Sequence, residues 1–162
     1  MAEVFLVKFR QGCFPLECAH WGIFLPTVRY AQFPTYGVLY HASKEWSNCF
    51  RLQGDTRYER LENFDLSSSD SWFDIYRLTS VNLADETISA ACDRVSQYRQ
   101  FNFFSKNCQE WVKEVLSCLV QDGRVDGGVF QEISLQGWIT VSEGCRTCFG
   151  SSFPCGRCRR RL

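Results

Sequence analysis

Short apolar segments separated by turn-forming residues fill the first half of the chain, and a helical period replaces them in the second half. The apolar segments predict strands over Val4–Phe9, His20–Leu25, Tyr36–Ala42 and Trp72–Val81. Two shorter, more polar strands are predicted over residues 48–54 and 57–64, and the LSSSDS segment at 66–71 predicts a loop.

Two helices are predicted in the second half. The first begins at the acidic pair Asp85–Glu86, which suits a helix N-terminus, and its apolar residues recur at helical spacing through Val95. The second covers about residues 107–120, with Gly123 as a stop signal, and the QDGRVDGG segment at 121–128 predicts a flexible connector. Because strands come first and helices follow, we expect an α+β domain in which an antiparallel sheet packs against helices.

The second helix begins with a cysteine in the segment FFSKNCQEWVKEVLSCLV. With Asn107 as N-cap and Glu110 at the third helical position, the start resembles a capping box and places Cys108 at the first helical position. Cys108 lies on the same face as the apolar stripe Val112, Val115 and Leu119.

Two readings of Cys108 follow from this position. Apolar surroundings raise the pKa of a thiol, whereas the positive end of a helix lowers it by less than about one unit. The residue is therefore either a small buried filler, as we expect of Cys92 and Cys118, or a nucleophile that needs a neighbouring imidazole.

The two histidines of the chain lie in neighbouring predicted strands. If Phe24 pairs with Gly37 in an antiparallel hairpin, His20 faces His41, and His20, Gly22 and Phe24 share one face. Two imidazoles side by side can act together: one accepts the proton of a thiol, the second fixes its tautomer, and helix-start amides supply an oxyanion hole. The alternative is a pair of strand-end histidines without a role.

The order of HWGIF, YGVLYH and KNCQEWV resembles the permuted branch of the NlpC-type papain-like superfamily, over roughly residues 17–119. Within it the chain resembles the lecithin:retinol acyltransferase-like proteins, and the segment YRQFNFFSKNCQEW resembles PPPDE-type isopeptidases about as well. The resemblance implies a permuted papain-like fold with His20 as general base, His41 as orienting histidine and Cys108 as nucleophile. It departs in a longer loop between the histidines and in the lack of a C-terminal membrane-spanning segment.

The C-terminal segment CRTCFGSSFPCGRC predicts a separate tail, so we divide the chain into a domain at 1–143 and a Cys/Arg-rich tail at 144–162. Its two CxxC pairs suit tetrahedral zinc, although their six-residue separation is short for a zinc ribbon. The proposed ligands are Cys145, Cys148, Cys155 and Cys158. Lipidation beside the terminal arginines, which would support contact with a membrane surface, and a disordered or disulfide-linked tail are the alternatives.

Composition narrows the function further. Eighteen basic and eighteen acidic residues cancel, so the chain carries no general signal for nucleic-acid binding. No secretory signal and no membrane-spanning segment are evident, so we expect a cytoplasmic protein with reduced thiols, associated with membranes only through its tail. Two functions remain: a cysteine hydrolase or acyltransferase that acts on an acyl-lipid or a peptide or isopeptide substrate without a catalytic cofactor, and a non-catalytic binding module that retains the fold.

Overall fold

The protein is described from a computed structural model, which describes residues 2–10, 19–27, 35–44, 53–68, 73–102 and 107–135. Six strands form one sheet in the order β5-β1-β2-β3-β4-β6, and each neighbouring pair is antiparallel. The strands are β1 (Ala2–Arg10), β2 (Ala19–Pro26), β3 (Tyr36–Lys44), β4 (Gln53–Asp65), β5 (Phe73–Leu83) and β6 (Gln100–Asn102). The α+β class with an antiparallel sheet, as predicted, is confirmed.

The described residues also form three α-helices: α1 (Asp85–Ser96), α2 (Cys108–Gln121) and α3 (Gly127–Leu135). Helix α1 lies between β5 and β6 in the chain, and α2 and α3 follow β6. The first two match the predicted helices closely. Gly123 takes a positive φ of 65°, as expected of a residue that ends a helix. The connector predicted at 121–128 is wrong at its end, because α3 already begins at Gly127.

The strands and one loop differ from the sequence prediction in three places. Two polar strands were predicted at 48–54 and 57–64. The structure has one strand instead, β4, which includes residues 53 and 54 of the first and the whole of the second. Residues 66–68 of the predicted loop form a 3-10 turn whose Leu66 side chain is buried. Strand β6 was not predicted at all, because three residues are too few to establish an alternating pattern.

The sheet buries both of its faces. On one side, which we call the helix face, apolar residues of β1, β2 and β3 pack against the three helices. These strand residues are Val4, Leu6, Trp21, Ile23, Leu25, Val38, Tyr40 and Ala42. The other side, which we call the phenylalanine face, is formed by Phe5, Val7, Phe9, Phe24, Leu39, Leu66, Phe73 and Ile75. Since both faces are apolar, the strands read as nearly continuous hydrophobic segments.

Helix α2 is fixed to the helix face by an aromatic stack. The Trp111 ring stacks on Tyr58 of β4 at 5.7 Å between ring centroids, and Tyr58 stacks on Tyr40 of β3 at 6.4 Å. The Trp111 indole Nε1 donates a hydrogen bond to Ser96 Oγ of α1 at 2.9 Å. Both helices are thereby held against the strands β3 and β4.

The predicted tail at 144–162 lies outside the described residues, as does the boundary proposed for it at residue 143. Among the helices that the structure describes, none is long and apolar enough to cross a membrane.

Candidate functional site

The structure brings the two histidines together on the phenylalanine face. His20 Nε2 lies 3.0 Å from His41 Nδ1, within hydrogen-bond distance, and the two rings meet edge to face. The His20 ring also packs near Phe9, with 6.3 Å between centroids. The prediction that both rings lie side by side on the face of Phe24 is confirmed.

The pairing register that produces this contact differs from the predicted one by two residues. His41 pairs with Gly22 rather than with His20, and Leu39 pairs with Phe24. A shift of two keeps every side chain on its face, so the rings still meet, but diagonally across the two strands.

A third residue, Glu59, joins the pair from the neighbouring strand β4. Glu59 is the partner of His41 in the β3–β4 register, and its Oε2 lies 3.6 Å from His41 Nε2. The three side chains thus form a row, Glu59–His41–His20, across β4, β3 and β2. Sequence reasoning missed Glu59, because nothing in the local pattern states which residue of β4 lies opposite His41.

Both rings are held in the neutral form. Burial lowers the pKa of His20 to about 3, and the charge of protonated His41 beside it acts in the same direction. Burial also lowers the pKa of His41, while the Glu59 carboxylate partly offsets this effect. Both imidazoles are therefore uncharged at neutral pH. One hydrogen bond joins the two rings, and there is no charge repulsion between them.

Cys108 lies where the sequence predicted it, at the first position of α2. The Asn107 side chain accepts hydrogen bonds from the amides of Gln109 and Glu110, at 3.0 and 3.1 Å. The N-cap is therefore confirmed. The Glu110 carboxylate pairs with Lys113 at 2.9 Å. The oxyanion hole built from helix-start amides stays a prediction; the Asn107 side chain engages two of those amides, Gln109 and Glu110.

The start of α2 lies at the end of the sheet that carries the histidines. Trp111 in its first turns stacks on Tyr58, which precedes Glu59, and Lys113 Nζ lies 5.9 Å from the ring centroid of Trp21, which follows His20. The helix covers the helix face, whereas the imidazoles belong to the phenylalanine face. Cys108 therefore begins a helix on one side of the sheet, whereas the rings lie on the other side, near the same end.

The remaining candidate residues are the other cysteines. Cys92 is fully buried in the core under α1, where burial raises the pKa of its thiol far above the ordinary value, and Cys118 is partly exposed. The four proposed zinc ligands lie outside the described residues. Within the part of the chain that the structure describes, no cluster of three His, Cys, Asp or Glu side chains is arranged to hold a metal.

Comparison with known proteins gives one match. Residues 4–126 match a family described as a family of unknown function (DUF6540). The chain belongs to this family. The DUF6540 region contains β1 from its third residue onward, the other five strands, α1 and α2, and it ends just before α3. It therefore includes His20, His41, Glu59 and Cys108. No curated protein and no solved structure matches the chain.

Proposed function

We propose that this DUF6540 chain is a cysteine-dependent hydrolase or acyltransferase that forms an acyl-enzyme on Cys108 from an ester, thioester or amide. The hydrogen bond of 3.0 Å between His20 and His41 carries the proposal, because it provides a paired, uncharged base at the sheet end where α2 begins. The finer fold assignment, a permuted papain-like domain of NlpC type, belongs to the same proposal. It rests on the order of strand histidine, strand histidine and helix-start cysteine.

The reaction proceeds in two steps. The Cys108 sulfur attacks the substrate carbonyl while its proton moves to His20, and the leaving alcohol, thiol or amine takes that proton as it departs. His20 then removes a proton from water or another acceptor, which attacks the thioester and releases Cys108 as a thiol. Water as the acceptor gives hydrolysis, and an alcohol or amine gives acyl transfer.

The resting imidazole of His20 is neutral rather than half of a thiolate–imidazolium ion pair. A pKa of about 3 for His20 makes imidazolium unfavourable before substrate binds. Proton transfer therefore accompanies the attack, and His20 acts as a general base. Removal of such a base typically lowers a rate by about 10²–10⁴-fold.

An acylation experiment tests this function. The full chain is treated with a chromogenic activated ester, and the acylated cysteine is identified by intact mass and peptide mapping. We expect rapid acylation of Cys108, loss of that phase in Cys108→Ser, and a rate lower by about 10²-fold or more in His20→Gln. The matched control is Cys118→Ser, which removes a partly exposed thiol on the same helix and leaves the Cys108 phase unchanged.

The same experiment with natural substrate classes separates the enzymatic alternatives. A lipid acyl chain on Cys108 supports a lipid hydrolase or acyltransferase, and a peptide or ubiquitin-like adduct supports an isopeptidase of the PPPDE type. Equal acylation rates for the wild type and His20→Gln contradict a role for His20 as base.

One observation favours a second function, a binding module that has kept the fold without catalysis. The imidazoles and α2 belong to opposite faces of the sheet, and Cys108 is 8% exposed. Under this function the histidine row is a polar element of the core, and Cys108 is a buried filler. Acylation of Cys108 no faster than that of Cys92 is the result that selects it.

A further inference from the structure

The proton between the two imidazoles has two possible positions with different chemical consequences. It lies either on His20 Nε2, which then donates to His41 Nδ1, or on His41 Nδ1, which then donates to His20 Nε2. A neutral imidazole carries one ring proton. The first arrangement therefore leaves His20 Nδ1 as a lone pair and puts the second proton of the pair on His41 Nε2.

The position of Glu59 distinguishes these two arrangements. In the first, the His41 Nε2–H faces the Glu59 carboxylate, whose Oε2 lies 3.6 Å away, too far for a hydrogen bond but close enough for electrostatic attraction. In the second, the lone pair of His41 Nε2 faces the same carboxylate, and two electron-rich groups approach each other at a largely buried position. The first arrangement is favoured because a carboxylate attracts the N–H and repels the lone pair.

We propose that Glu59 is a positioning residue that holds both imidazoles in the Nε2–H tautomer, so that His20 Nδ1 is the basic atom of the row. The inference rests on the proposed function only in the identity of the thiol from which this atom takes a proton. It explains why three strands contribute to one row: β4 supplies the charge, β3 transmits its orientation, and β2 carries the base.

This tautomer assignment also determines which nitrogen of His20 a reacting group must approach. Its Nε2 is engaged with His41, so a thiol or water must approach Nδ1. A substrate that reacts here must present its carbonyl near the end of the sheet where β2 begins, which is also the end near which α2 starts.

The tautomers are measurable directly, since the chain contains two histidines. In the full chain labelled with ¹⁵N-histidine at neutral pH, long-range proton–nitrogen correlations distinguish a protonated from an unprotonated ring nitrogen. Each ring is assigned by through-bond correlation to its own backbone. We expect Nδ1 of both rings to be unprotonated and Nε2 of both to be protonated. A protonated Nδ1 on His20 overturns the proposal.

The variant Glu59→Leu removes the charge and keeps a side chain of similar size. We expect the His20 Nδ1–H tautomer to become populated, with a large shift of both His20 nitrogen signals. Glu62→Leu is the matched control on the same strand, because Glu62 is 65% exposed and pairs with Arg60 instead. Glu59→Gln offers a carboxamide that either donates or accepts, so we expect a shift between those of the wild type and Glu59→Leu. Unchanged tautomers in a folded Glu59→Leu chain overturn the proposal.

Acylation of Cys108 is measured on the same samples and separates this inference from the proposed function. If both hold, Glu59→Leu lowers the acylation rate by at least about 10-fold, as expected when a base takes the wrong tautomer, and Glu62→Leu does not. Nε2–H tautomers that depend on Glu59, together with an unreactive Cys108, support the inference and contradict the proposed function. If acylation is rapid and depends on His20, but the tautomers are the same in the wild type and Glu59→Leu, the result supports the proposed function and contradicts the inference about Glu59.

Discussion

Gly22 lies directly opposite His41 in the β2–β3 pairing, at a point where the two strands leave little room for a side chain on β2. A Cβ added at Gly22 would lie 3.0 Å from the carbonyl oxygen of Tyr40, 2.9 Å from Leu39 Cδ1 and 3.5 Å from His41 Cβ. An added methyl group at Gly22 would therefore press on the Leu39 side chain and on the β3 backbone.

The first prediction follows from this close approach. We expect Gly22→Ala to lower the free energy of unfolding by about 1–3 kcal/mol, because the new methyl group forces β3 or Leu39 to move. Chemical denaturation measures the loss, and the histidine ring signals report the displacement of His41. Gly127→Ala is the control, since its Cβ meets only Val120 Cγ1 at 4.0 Å. A loss as small as that of the control contradicts the tight packing at Gly22.

The second prediction concerns pH. His20 has a pKa of about 3 when folded and 6.5 in its ordinary state, so the unfolded chain binds more protons at acid pH. Stability is then full above pH 6.5 and falls progressively between pH 6.5 and 3, by up to about 1.4 kcal/mol per pH unit for this group. His41, whose pKa is also lowered, adds to the slope.

Urea denaturation at several pH values between 5 and 7.5 measures this slope, and His20→Gln should reduce it. Carboxyl groups such as Asp85, whose pKa is raised by burial, also contribute to the slope. Their contribution is the same in both proteins, so it cancels when the variant is compared with the wild type. An identical slope in both proteins is incompatible with a His20 that stays neutral in the folded chain at these pH values.

The third prediction addresses the N-cap of α2. Asn107→Ala removes the acceptor for the Gln109 and Glu110 amides, and we expect a loss of about 1–2 kcal/mol in the free energy of unfolding. Asn107→Ser keeps a capping oxygen and should recover most of that loss. If alanine and serine are equally destabilising, the capping hydrogen bonds are not what stabilises this helix start.

The fourth prediction compares two cysteines with no proposed role. We expect iodoacetamide to alkylate Cys118 at least about 10-fold faster than Cys92 in the native protein at mildly alkaline pH. Cys118 is partly exposed, whereas Cys92 is buried and its pKa is raised. Peptide mapping after timed quenching gives both rates, and denaturant should make them equal. Similar native rates would show that the core under α1 opens readily.

The fifth prediction concerns the tail, which lies outside the described residues. If the two CxxC pairs hold zinc, the purified chain contains one equivalent, and the double variant Cys145→Ser with Cys148→Ser loses it. Acylation of Cys108 should be unchanged, because none of the proposed ligands belongs to the histidine row. A metal-free wild-type chain purified under reducing conditions, with zinc supplied, contradicts the site and leaves lipidation or a disulfide as alternatives.

Several parts of the fold follow from local pattern. The start of α2 was predictable because Asn107 is a good N-cap and an apolar stripe follows it at helical spacing. Helix α3 was not, since Gly127 and Gly128 begin it and glycine disfavours a helix interior. Its apolar residues Val129 and Ile133 stabilise it only once they pack against the core.

For the candidate site, the sequence by itself determined which side chains share a face. His20 and His41 stand at positions of equal parity to Phe24 and Leu39, and strand periodicity is a local property. It also determined that Cys108 begins a helix. These features depend on neighbours a few residues apart in the chain.

Only the tertiary structure decided the register, the third member of the row and the face on which it lies. Gly22 rather than His20 opposes His41 because the register is set by the packing of two strands, and a shift of two residues leaves the alternation of side chains unchanged. Glu59 meets His41 because β4 pairs with β3. The helices cover the opposite face because the apolar residues that suit them lie there. Such choices are made by contacts between distant segments, which no local pattern contains.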